Sequence, residues 1–205
     1  MNKIFSSIFF SLIFISMAAY SAERSLVFLG DSLTEGYGVD QESAYSNLIQ
    51  KKIKDDKMDW KVINSGISGS TSASGPSRAK WLLKAKDKPS LVVVVLGAND
   101  GLRGLPVDSV KKNLNETVKI LTDAKVKTVI AELYVPPNYG KDYSDKFKKS
   151  FSEVAKKNKI PLMPFLLEKV AGKTDLNLSD GIHPNEKGHQ FIADGIYSFL
   201  KKYLN

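Results

Sequence analysis

The sequence predicts an α/β fold: a three-layer α/β/α sandwich around a five-stranded parallel sheet, in a single domain. Three observations carry this. Short apolar, β-branched runs recur along the chain, and "LVVVVL" is apolar throughout, as a strand covered on both faces must be. Segments with apolar residues at helical spacing lie between the runs. Strands alternating with helices imply parallel pairing through right-handed crossovers, which brings all strand ends to one edge.

The strands are expected at Leu26–Leu29, Lys61–Asn64, Leu91–Leu96, Thr128–Leu133 and, shorter, Leu162–Phe165. Between the first two, Ser43 is placed to cap a helix over "AYSNLIQKKIK". The next helix, "PSRAKWLLKA", opens on proline, as first turns often do. From Val107 to Ala124 the stripe is Val110, Leu114, Val118 and Leu121; from Asp145 to Asn158 it is Phe147, Phe151 and Val154. The last helix starts near Asn185 and repeats Phe191/Ile192, Ile196, Phe199/Leu200 and Tyr203. These stripes read as core. The sequence has no internal repeat and no low-complexity linker.

Residues 1–22 read as an export signal rather than as part of the fold. Lys3 precedes the apolar run "IFSSIFFSLIFIS", and the small residues of "MAAYSA" follow, with cleavage expected between Ala19 and Glu23. The run is shorter than the ~20 residues of a comfortable membrane span. The mature domain is therefore expected at 23–205, exported to the periplasm or secreted. With 205 residues, 42% of them hydrophobic, the chain is long enough for one sizeable core. It has no cysteine, which excludes disulfides, thiolate metal sites, a cysteine nucleophile and a lipid anchor on cysteine. The formal charge of +8 falls to +7 when Lys3 leaves. Lysine pairs such as Lys51/Lys52 and Lys111/Lys112 sit on polar helix sides, with no dense block interleaved with aromatics. Nucleic acid is not an expected partner, and membrane contact is expected to be peripheral at most.

In a parallel sheet, ligands sit outside the strands' C-terminal ends. The segments there are "GDSLTEG", "NSGISGS", "GANDGLRG", "YVPPNYG" and, before the last helix, "SDGIHPNEKG". They hold both histidines and most of the glycines. "GDSLTEG" is neither a phosphate-cradling P-loop nor a GxGxxG turn. Ser32 has two readings: a helix cap, or a nucleophile, which needs a partner base. His183 lies three residues after Asp180, close enough for one turn to join carboxylate and imidazole; a surface histidine beside a proline turn is the plainer account. His189 reads as structural or solvent-facing.

A hydrolase also needs donors for a developing oxyanion. Ser32 N–H, the backbone of Gly69 and the side chain of Asn99 are the candidates. Taken singly, Gly69 and Asn99 each have an ordinary account as turn residues. Asp31 and Asp100 read as hydrogen-bonding braces of their loops, and Gly66 as a turn residue.

Four blocks, "GDSL", "ISG", "GAND" and "DGIHP", stand in the order in which they occur in the SGNH hydrolases, or GDSL esterases, and the chain resembles that family from about Leu26 to Leu200. "GANDGLRG", "PPNYG", "PLMPF" and "FIAD" look like its bacterial periplasmic thioesterase, lysophospholipase and arylesterase group. The resemblance implies a flavodoxin-like SGNH hydrolase fold and a catalytic set of Ser32 as nucleophile, His183 as general base and Asp180 as its orienting acid. It implies an oxyanion hole of Ser32 N–H, Gly69 N–H and the Asn99 side chain. The implied substrate is a small acyl ester or thioester, with lysophospholipid among the candidates. The implied protein is a monomer and needs no metal or organic cofactor. In that group the region after strand four contributes to acyl-chain recognition, so Leu102–Leu105 and Pro136–Tyr139 are candidate walls of an acyl groove, with plain surface loops as the alternative. A carbohydrate O-deacetylase of the same superfamily and a non-catalytic lipid- or glycan-binding protein are the rival readings.

Overall fold

The computed structural model describes residues 24–205. The expected export signal, its cleavage site and Glu23 lie outside the described residues. The elements run β1 (Arg24–Gly30), α1 (Ser32–Glu35), α2 (Tyr45–Asp55), β2 (Trp60–Gly66), α3 (Gly75–Leu82), β3 (Leu91–Val95), α4 (Ala98–Leu102), α5 (Val107–Asp123), β4 (Lys127–Ala131), α6 (Lys141–Asn158), β5 (Leu162–Met163) and α7 (Glu186–Leu204). The five strands form one parallel sheet in the order β2-β1-β3-β4-β5. Helices α3, α5 and α6 pack side by side on one face, and α2 and α7 on the other. The expected sandwich is therefore the observed one.

The core follows from the sequence pattern. Val92 to Val95 in the central β3 are wholly buried, as are Leu26 to Leu29 in β1. The predicted stripes of α5 and α6 (Val110, Leu114, Val118, Leu121; Phe147, Phe151, Val154) are also sealed from solvent. At ~25 cal/mol per Å² of apolar surface, each such side chain contributes about 1.5–3 kcal/mol before chain entropy is counted.

Four expectations need correction. Ser43 does not cap α2: it sits in a 3₁₀ turn, and Ala44 at the cap position offers no side-chain acceptor. The Nδ1 of His189, 144 residues away, accepts the Tyr45 N–H at 3.2 Å instead. The strand expected to reach Leu133 ends at Ala131, and its partner is only Leu162–Met163. Pro161 and Pro164 flank that pair and have no N–H with which to extend a ladder. Helix α6 starts at Lys141, a turn earlier than its apolar stripe suggested. Gly66, read as a turn residue, is the last residue of β2; a Cβ there would lie 2.1 Å from the backbone nitrogen of Glu35. A glycine at that point lets α1 lie directly on the end of β2.

Candidate active site

Strand β1 breaks at Gly30, where a Cβ would overlap the Thr34 side chain at 1.9 Å. Asp31 is the cap of α1: its Oδ1 accepts the Leu33 N–H at 3.1 Å. Ser32 is therefore not a cap but the first residue of the helix, where its N–H has no intrahelical acceptor. The turn is held from below. Thr34 Oγ1 meets the phenol oxygen of fully buried Tyr45 at 2.7 Å, and Asn64 donates to the Thr34 carbonyl at 2.8 Å. Arg78 of α3 donates to the carbonyls of Gly30 and Ser65, joining the ends of β1 and β2.

The "DGIHP" loop folds on itself before α7. Gly181 has a φ of 72°, and the Leu178 N–H donates to the His183 carbonyl at 2.8 Å. Asp180 Oδ1 accepts the N–H groups of Ile182 and His183, both at 3.0 Å. Its Oδ2 lies 2.7 Å from His183 Nδ1, and His183 Nε2 lies 2.9 Å from Ser32 Oγ. Three residues separated by up to 151 positions thus form one continuous hydrogen-bonded line. The Tyr37 ring packs against the imidazole at 4.6 Å. Sequence reasoning missed this contact, because nothing in the spacing of Tyr37 marks it.

Two buried or hydrogen-bonded acids shift in opposite directions. Burial pushes the Asp31 carboxyl up to about 6, against the Leu33 N–H and the charges of His183 and Arg78. For Asp180, burial pushes upward but loses to the hydrogen bonds from the backbone and ring of His183 and from the Ile182 N–H, which hold it at about 2. Asp180 therefore stays ionised across the neutral range and faces the ring as a fixed anion.

The remaining candidates line the same edge. Gly69 has a φ of 75° on the turn after β2, and the Arg103 guanidinium donates to its carbonyl at 3.3 Å. Asn99, in the short α4, donates from Nδ2 to the Ser70 carbonyl at 3.0 Å and lies 3.4 Å from Asp31 Oδ2. Asp100 accepts from Ser72 twice, N–H at 2.7 Å and Oγ at 2.6 Å. The Gly69 turn is thus fastened to α4 at residues 69, 70 and 72. Both Asp31 and Asp100 brace backbone, as their positions suggested. The two candidate walls meet at one bond, from the Tyr139 hydroxyl to the Leu102 carbonyl at 2.7 Å, and α6 reaches the first of them where the Tyr143 hydroxyl donates to the Leu105 carbonyl at 2.9 Å.

His189 stands apart from this chemistry. It is 1% exposed, and burial pushes its imidazole down to about 4, against the pull of Glu186. A neutral ring accepting the Tyr45 N–H is a structural cap. Among the described residues, no group of three or more His, Asp or Glu side chains is arranged to hold a metal ion, and no helix is long and apolar enough to cross a membrane.

The chain is similar to proteins already known. Residues 28–191 match the GDSL-like Lipase/Acylhydrolase family. An arylesterase of Vibrio mimicus is 38% identical over 193 residues, covering 94% of this chain and 96% of that protein. The thioesterase 1/protease 1/lysophospholipase L1 of Escherichia coli K12 is 34% identical over 197 residues, covering 96% and 92%. The crystal structure of a psychrotrophic esterase, EstA from Pseudoalteromonas sp., inhibited by monoethylphosphonate, superposes with a TM-score of 0.84 at 40% identity, covering 89% of this chain and 99% of that one. The fold, the order of its loops and these likenesses together make the chain a member of the GDSL-like lipase/acylhydrolase family, the SGNH esterases.

Proposed function

We propose that this esterase cleaves acyl esters and thioesters through an acyl-enzyme on Ser32. The observation that carries this reading is the line from Asp180 Oδ2 through His183 to Ser32 Oγ, at 2.7 and 2.9 Å. Asp180, ionised, accepts a hydrogen bond from the Nδ1–H of the ring, which leaves Nε2 free to accept the serine proton. Ser32 Oγ bonds to the acyl carbon as its proton passes to Nε2. The tetrahedral oxyanion then collapses, the bond to the leaving alkoxide or thiolate breaks, and His183 returns the proton to it. Water, deprotonated by the same nitrogen, releases the acid and restores Ser32.

The oxyanion is held by the N–H groups of Ser32 and Gly69 and by the Asn99 amide. The Ser32 N–H is an orphan of a helix start, and Gly69 presents backbone with no side chain in the way. Asn99 has one firm hydrogen bond, to Ser70, and one long contact, to Asp31, which the oxyanion displaces. The acyl chain lies against Leu102–Leu105 and Pro136–Tyr139. The names of the relatives favour arylesters, acyl thioesters and lysophospholipids over acetylated glycans. The protein acts as an exported, periplasmic or secreted enzyme, a reading that rests on the signal-like residues 1–22.

The test is a hydrolysis panel of short- and long-chain p-nitrophenyl esters, an acyl thioester and a lysophospholipid, with fluorophosphonate labelling in parallel. Ser32→Ala is expected to abolish turnover and labelling while leaving the circular dichroism and melting curve intact. Labelling that persists in Ser32→Ala, at another residue, overturns the assignment.

A further inference from the structure

The lysines that look scattered in sequence are gathered by the fold onto one edge. All five strands are parallel, so their starts line up opposite Ser32. Each is entered past a cation: Arg24 in β1, Lys57 before β2, Lys88 before β3, Lys125 before β4 and Lys159 before β5. Among the described residues, the non-glycine positions with positive φ are Lys57 at 55°, Lys125 at 64° and Lys159 at 53°, all three on this edge. The left-handed conformation favours glycine or asparagine, so each lysine keeps a charge where the backbone would prefer another residue. None of these three is in an ion pair with a described residue, nor are Lys84, Lys86 and Lys88.

A large aromatic stands among them. Trp81, near the end of α3, is 71% exposed, within "KWLLKAKDK" at residues 80–88. Two hydrogen bonds fasten the end of this segment beside the start of β1: Ser25 N–H to Ser90 Oγ at 3.3 Å, and Ser90 N–H to the Ser25 carbonyl at 3.0 Å. The basic, aromatic segment therefore adjoins the start of β1. The lysines of this edge outnumber its acids, Asp55, Asp56, Asp59, Asp87 and Asp123, whereas the opposite edge sets exposed acids at or just before helix starts, Asp40, Glu42, Asp108, Asp142 and Asp175, beside cations such as Arg103, Lys141 and Lys187.

We infer that the edge of Lys57, Lys88, Lys125 and Lys159, with Trp81, is a docking surface for anionic phospholipid bilayers that keeps Ser32 turned toward water. Clustered lysines gain from the negative potential of the headgroups, and an exposed tryptophan sits at the boundary between headgroups and acyl chains. The excess of cations over acids on this edge, against the more mixed far edge, sets the orientation.

Co-sedimentation with vesicles of phosphatidylglycerol and phosphatidylcholine, with brominated acyl chains, tests this. The chain has two tryptophans and Trp60 is buried, so bromine quenching reports Trp81. Binding is expected on mixed vesicles at low salt and not on phosphatidylcholine alone, with quenching that Trp81→Phe removes. The triple variant Lys57→Asn, Lys125→Asn, Lys159→Asn, whose asparagines suit positive φ, is expected to lower partitioning about tenfold or more. Lys112→Asn, Lys146→Asn, Lys187→Asn removes the same charge from the other half of the molecule and is expected to change it less than about twofold. Equal losses in the two triples mean that net charge alone acts and overturn the inference, as does an unquenched Trp81. Preference for heparin over the vesicles assigns the edge to a soluble polyanion and equally refutes it.

Discussion

Two buried groups, His189 and Asp31, make the stability of this protein depend on pH in opposite senses. His189 folds with its pKa depressed to about 4, from about 6.5 in the unfolded chain. Between those values the unfolded state binds the extra proton. The ring's contribution is therefore complete above pH 6.5 and is lost as the pH falls toward 4, by about 3 kcal/mol. Asp31 folds with its pKa raised to about 6, from about 3.8 unfolded. Here the folded state binds the extra proton, so its ionisation penalty is relieved over nearly the same interval, by about 2–2.5 kcal/mol. In the wild-type protein the two slopes nearly cancel. Replacing one group exposes the other. In His189→Asn, which retains an acceptor for the Tyr45 N–H, the deficit relative to wild type is expected to shrink by about 3 kcal/mol between pH 7 and pH 4. In Asp31→Asn, which retains a capping side chain, the advantage over wild type is expected to shrink by about 2–2.5 kcal/mol over the same range. Urea denaturation at unit steps of pH reads both. A difference between wild type and His189→Asn that is flat from pH 7 to 4 would show that the ring is not held neutral by burial, and the reasoning fails.

Two further substitutions probe the site. Asn99→Ala is expected to lower kcat about 10²–10³-fold with KM nearly unchanged, the scale of one lost oxyanion donor; steady-state kinetics on a p-nitrophenyl ester checks it. Gly66→Ala places a Cβ 2.1 Å from the Glu35 nitrogen, where neither backbone gives way easily. It is expected to destabilise the fold by about 1–3 kcal/mol and to slow turnover by displacing α1, read by denaturation and kinetics together.

The sheet was legible because its signals are local. A run such as "LVVVVL" and the helical stripes of α5 and α6 state their own burial, and the loops after the strands gather the chemistry wherever the strand order leads. The pairing of Asp180 with His183 was legible too, from a separation of three residues. What was hidden is long-range. The acceptor at the start of α2 comes from α7, so a serine of suitable type two residues before the helix was a false local cue. Gly66 needs to be glycine because of α1, an element too short to show a period. The positive edge was hidden for the same reason: each lysine belongs to a different crossover, and only the parallel register lines them up.

The two tyrosine hydroxyls bound to the carbonyls of Leu102 and Leu105 tie together segments that look independent along the chain. A bulky substituent pressing on either segment strains both, so widening one side alone gains little room. If these segments line the acyl groove proposed above, single changes at one of them are expected to shift chain-length preference less than paired replacements across the gap.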